Sequence, residues 1–150
     1  MRNYFLIELF SKNIKLNRRE KMKFIENYSS LAGRLLISAI FLTAGISKIS
    51  GYEGTQGYME AMGVPGVLLP LVIITEILGA LAIIVGYKTR ITAFLLAGFS
   101  IISALLFHAN FGDQMQSILF MKNFAIAGGF LFLVANGAGY VSFDNGMPKE

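Results

Sequence analysis

Six side chains stand in or at the edge of otherwise apolar runs: Arg34, Lys48, Glu76, His108, Lys122 and Asn123. Glu76 sets the problem for the rest. It sits near the middle of PGVLLPLVIITEILGALAIIVG, residues 65–86, about 15 Å from either end at roughly 1.5 Å per residue. That is close to the midplane of a hydrocarbon core about 30 Å thick. A carboxylate at this depth must be paired, protonated or hydrated, since leaving it bare costs at least ~2.5 kcal/mol. Lys48 and Arg34 are its candidate partners. His108 can donate or accept through its ring nitrogens, and Lys122 and Asn123 can donate to an oxygen. Two uses of such a cluster stay open: a buried ion-pair clamp, and a ligand-binding polar interior that also handles protons.

Other chemistry lacks the residues it needs. There is no cysteine, so neither a disulfide nor thiol redox chemistry can be carried by this chain itself. No HExxH, His cluster, Walker loop or GxGxxG after a strand is present, so no catalytic residue, metal site or resident cofactor is evident. One histidine cannot ligate a haem from both sides. Met59, Met62, Met115 and Met121 are scattered over expected loops and read as soft packing rather than a copper site.

The elements that must position these groups follow from composition. Of 150 residues, 55% are hydrophobic and 15% charged, with a mean hydropathy of +0.61, the profile of a membrane protein. Four apolar stretches predict crossings at about 31–50, 65–86, 91–109 and 118–139, each near the 20 residues a transmembrane helix needs. The first is expected to start after the capping cluster Asn27, Ser29 and Ser30, and to stop at the glycine-rich run from Gly51. A short amphipathic turn is expected at Tyr58 to Met62. Short loops force antiparallel neighbours, so the fold class is an all-α, up-down-up-down four-helix bundle.

Seven of the thirteen basic residues precede residue 24, which reads as a topology signal rather than a nucleic-acid site. Both termini are then expected in the cytoplasm, as is the Lys88-Thr89-Arg90 turn. Residues 1–28 form a basic extension, either disordered or an interfacial helix held by Phe5, Leu6, Leu9 and Phe10, with Met22 a second candidate start. Residues 29–140 form the membrane domain and 141–150 a cytoplasmic tail.

Helical spacing groups the polar residues. Arg34, Ser38, Phe41, Gly45 and Lys48 share one face, as do Arg90, Phe94, Ala97, Ile101 and His108, and again Lys122, Ile126, Gly129, Leu133 and Asn136. These faces are expected to meet that of Glu76, Gly79, Ile83 and Gly86. Arg34, Arg90 and Lys122 also lie close enough to an interface to snorkel.

The ordered set Gly33-Arg34, Gly45 with Lys48, Glu76 with Gly79, Gly86 with Arg90, Phe107-His108, Lys122-Asn123 and Gly128-Gly129 resembles the DoxX family. The resemblance implies a small four-helix protein of the bacterial inner membrane. It further implies association with a membrane oxidoreductase partner, since the family takes its name from a subunit of a quinone-reducing complex. On that reading the polar cluster binds a quinone-like lipophilic molecule, with Phe41, Phe94 and Phe107 as an apolar wall. The alternative is a non-enzymatic assembly subunit whose buried ion pairs fix helix register. A proton-coupled carrier is a third reading. The lipid bilayer is a partner in all of them.

Overall fold

The computed structural model describes residues 2–146, with side chains described for Met22, Ile25 and residues 28–146. The chain forms α1 (Arg2–Ser50), α2 (Tyr52–Ala61), a 3-10 turn (Gly66–Leu68), α3 (Leu69–Val85), α4 (Thr89–Phe107), α5 (Gln114–Asn136) and α6 (Phe143–Gly146). Among the described residues, four segments are long and apolar enough to cross a membrane: Tyr28–Ser50, Gly66–Val85, Thr89–Phe107 and Gln114–Asn136. α1 packs on α3, α3 on α4, and α4 on α5. Contacts fix the antiparallel order: Arg34 meets the end of α3 at Ile83 and Ile84, while Lys48, further along α1, meets Glu76.

Local chemistry explains the ends. Pro70 stands in the first turn of α3, where its missing N–H is not needed. Gly86 closes the helix in the left-handed region at φ 71°, with its N–H on Ile83 O and that of Tyr87 on Ala82 O. Glycine is required there twice over, because a Cβ would also press on the Arg34 guanidinium and Ser142. Asp113 caps α5, accepting from Met115 N at 2.7 Å and Gln116 N at 3.4 Å.

Asp144 caps α4 from a distance in sequence. Its carboxylate accepts from Lys88 N at 2.6 Å and Thr89 N at 2.8 Å, and its own N–H donates to Gly86 O at 2.8 Å. The segment after α5 therefore folds back over the corner between α3 and α4. Asp144→Ala is expected to destabilise the bundle by about 1 kcal/mol, the usual cost of a lost N-cap. SDS-titrated unfolding in mixed micelles would measure it.

The core joins Phe41, Ala80, Ile83, Ala93, Leu96, Ala97, Ala127 and Phe130, with Phe41 edge-on to Phe130 at 5.3 Å. Small side chains let the backbones close in. A Cβ on Gly45 would lie 2.6 Å from Ile77 Cγ1 and 3.4 Å from Glu76 Cβ. Gly45→Val should thus separate α1 from α3 at a cost of about 1–3 kcal/mol, read in the same unfolding assay. On the lipid side, Thr43 and Thr75 return their hydroxyls to Ala39 O and Leu71 O, each at 2.8 Å. Neither hydroxyl then offers a free donor to hydrocarbon.

Several expectations change. α1 does not begin at the Asn27, Ser29, Ser30 cluster; Ser30 Oγ instead donates to Ala138 O at 2.8 Å. The proposed interfacial face of Phe5 to Phe10 lies outside the described side chains. The glycine-rich stretch after Ser50 is helical as α2, against the intrinsic cost of Gly54 and Gly57. Burial of Met59 against Leu69 and Ile73 offsets that cost.

The faces of α4 and α5 are also rotated from those expected. α4 buries Thr89, Ala93, Leu96, Ala97, Ser100 and Ala104, leaving Arg90 exposed and Phe94 63% exposed. α5 buries Ala127 and Phe130. Small residues that permit close approach decide these faces, rather than the charged ones.

Candidate functional site

The six polar residues divide into three places. Arg34 is wholly buried and lies at the α3–α4 corner, so it does not snorkel. Its Nη1 donates to Ile83 O at 3.2 Å and Ile84 O at 3.0 Å, and its Nη2 to Val141 O. Two of these acceptors are last-turn carbonyls at the negative end of the α3 dipole, a natural place for a cation, and the third belongs to the segment after α5. Asp144, set at the positive start of α4, adds a further attraction. Arg34 is therefore not the partner of Glu76. Fourteen residues of α1, about 21 Å of helix, separate it from Lys48.

Glu76 is 5% exposed and pairs with Lys48, whose Nζ lies 2.8 Å from Oε1 and 2.9 Å from Oε2. The heptad-like burial of Leu69, Ile73, Glu76, Ala80 and Ile83 turns the carboxylate towards α1. Lys48 falls opposite because Arg34, Ser38, Phe41, Gly45 and Lys48 form one stripe down α1. This is the one salt bridge among the described residues. Both carboxylate oxygens are engaged, and one of the three ammonium N–H groups remains for another acceptor.

Beside this pair lies a cavity of about 450 Å³ between α3 and α4, under α2. His108, at the end of α4, lines it with Lys48 and Glu76, while Phe99, Phe107, Met59, Val64 and Val72 supply apolar walls. Tyr58 of α2 stacks on Phe107 with ring centroids 5.7 Å apart. His108 Nδ1 is 2.7 Å from Gln116 Oε1. A carbonyl oxygen can only accept, so Nδ1 carries the proton and Nε2 is left as an acceptor in the neutral ring. The cavity thus holds a spare donor on Lys48 and a spare acceptor on His108 in a largely apolar chamber, with the Ser103 hydroxyl on its α4 wall. Gln116 belongs to this arrangement although nothing in the helical spacing singles it out.

Lys122 and Asn123 are elsewhere. Lys122 is exposed in a shallow groove on the outer surface of α5, and Asn123 Nδ2 donates to Leu119 O of its own helix at 3.1 Å. Of the expected aromatic wall, Phe107 faces the cavity, Phe41 belongs to the core and Phe94 points outward. Phe99 takes the place expected of Phe94.

An all-helical bundle with four membrane-spanning helices and a buried ion pair beside an apolar chamber defines a small polytopic membrane protein. The chain belongs to the DoxX family, whose sequence model matches residues 29–109. That span contains Arg34, Lys48, Glu76 and His108 and stops short of Lys122 and Asn123. The chain is 51% identical over 129 residues to the inner membrane protein YqjF of Escherichia coli (strain K12), covering 86% of this chain and 99% of that one. It is 34% identical over 121 residues to the inner membrane protein YphA of the same organism, covering 76% and 86%. A 64-residue stretch is 31% identical to a Bacillus subtilis (strain 168) protein named "Putative oxidoreductase CatD", covering 43% and 48%. No solved structure matches the chain significantly. It is a multi-pass protein of the bacterial inner membrane.

Proposed function

We propose that the cavity binds a quinone-like lipophilic molecule and that the chain serves as a membrane subunit beside an oxidoreductase partner. The observation that carries this reading is the convergence of Lys48, Glu76 and His108 on one apolar chamber, the usual form of a small-ligand site. The spare N–H of Lys48 suits a carbonyl oxygen and His108 Nε2 suits a hydroxyl proton, so the oxidised and reduced forms of such a ring are each met by a complementary group. The name of the Bacillus subtilis relative supports the redox association. With both termini in the cytoplasm, the site faces the outer half of the membrane. Gently purified protein is expected to carry quinone above the level found with a matched inner-membrane protein of similar size, quantified by extraction and absorbance. Equal levels would remove this reading.

A structural subunit is the second reading, and one observation favours it: the Lys48–Glu76 pair satisfies both carboxylate oxygens without any ligand. On that reading the pair fixes the register of α1 on α3.

A further inference from the structure

The walls of the cavity are not equally covered. On the aqueous side α2 roofs it, with Met59 buried and Tyr58, 45% exposed at its outer edge, laid on Phe107. On the bilayer side Leu71 of α3 and Ile102 and Leu106 of α4 line the same cavity and are 61%, 57% and 46% exposed. The most exposed side chains that bound the chamber, Leu71 and Ile102, mark its mouth. The mouth is a crevice between α3 and α4. Leu71 stands five residues into its span and Ile102 five residues before the end of α4, about 7 Å below the helix ends. At that depth the surroundings are acyl chains, not water. Two half-buried hydroxyls lie there, that of Thr75, turned back onto Leu71 O, and that of Ser103, and no charged group is present at the rim. The ionisable pair and the histidine ring, Lys48, Glu76 and His108, lie on the lining away from Leu71 and Ile102.

We propose that this site is loaded sideways from the bilayer, through the crevice between α3 and α4. Its ligand is an amphiphile whose compact head, carrying a carbonyl or hydroxyl oxygen, lies at Lys48 and His108 while its apolar tail stays among the lipids. This rests on the ligand-binding reading above and adds route, orientation and class. Hydrophilic solutes are excluded, because their path would cross the apolar rim at Leu71 and Ile102.

The chain has no tryptophan, so one introduced residue reports alone. Phe99→Trp places it on the cavity wall, Phe107→Trp is the second reporter should the first fail to fold, and Leu36→Trp, on a helix surface far from the cavity lining, is the control. Each variant is placed in nanodiscs of phosphatidylcholine with or without bromine on the acyl chains. Bromolipid is expected to remove most of the emission of the cavity tryptophan, as it does for the control, whereas acrylamide in the water leaves it largely intact. Discs of unbrominated lipid, incubated with a decyl-chain benzoquinone and re-isolated, should retain close to one quinone per chain. Quenching by acrylamide but not by bromolipid, with quinone retained, would overturn lateral loading and leave the ligand reading standing. Quenching by bromolipid with no quinone retained would make the crevice a gap filled by ordinary lipid and overturn both.

Discussion

Arg34→Lys is expected to destabilise the bundle by roughly 3 kcal/mol although it keeps the positive charge. The guanidinium spreads its donors over two carbonyls at the end of α3 and a third at Val141. An ammonium is a single point and can reach only part of that set, so buried carbonyls lose donors that they cannot replace in a dry interior. Arg34→Met should cost a similar roughly 3 kcal/mol, since it loses every bond but also relieves the burial of a charge. SDS-titrated unfolding of both variants tests the point. Full rescue by lysine would mean that charge alone matters and that the forked geometry does not. Because Arg34 is remote from the cavity, the folded fraction of either variant should retain quinone as the parent chain does.

The same residue shows what a sequence conceals. Spacing reveals that Arg34 and Lys48 share the face of α1 that meets α3, and both are buried or half-buried there. It does not reveal which of them finds Glu76, because the competing acceptors of Arg34 are backbone carbonyls, and every residue has one. Only the end of α3 at Gly86, folded beneath the tail, makes those carbonyls available. The role of Asp144 is hidden for the same reason: a cap supplied 56 residues away from Lys88 leaves no local signature. The crossings themselves were readable, since hydrocarbon demands long apolar helices whatever else happens. The inward faces of α4 and α5 were readable only in part: Ala97 lies on the face expected, but charge draws attention to Arg90 and Lys122 while further contact is made by Ala93 and Ala127.

Lys48→Met is expected to cost more than Glu76→Leu, and the double variant less than either. Removing the lysine leaves a carboxylate that is 5% exposed and too short to reach an interface. The expected loss is about 3–5 kcal/mol, that of a broken buried pair. Removing the glutamate leaves a lysine whose side chain is 26% exposed and near the end of α1, where it can turn towards the loop side. The loss should then fall nearer 2 kcal/mol, reduced because snorkelling and partial exposure relieve the stranded charge. In Lys48→Met/Glu76→Leu no charge is stranded and the volume is refilled by apolar atoms, so stability should return to within about 1 kcal/mol of the parent. Unfolding of the four proteins gives the coupling energy directly. Quinone retention by the folded double variant then separates the two readings of the site. If the pair is only a clamp between α1 and α3, restoring stability restores everything the chain does. If Lys48 holds the head of a ligand, the double variant is as stable as its parent and empty.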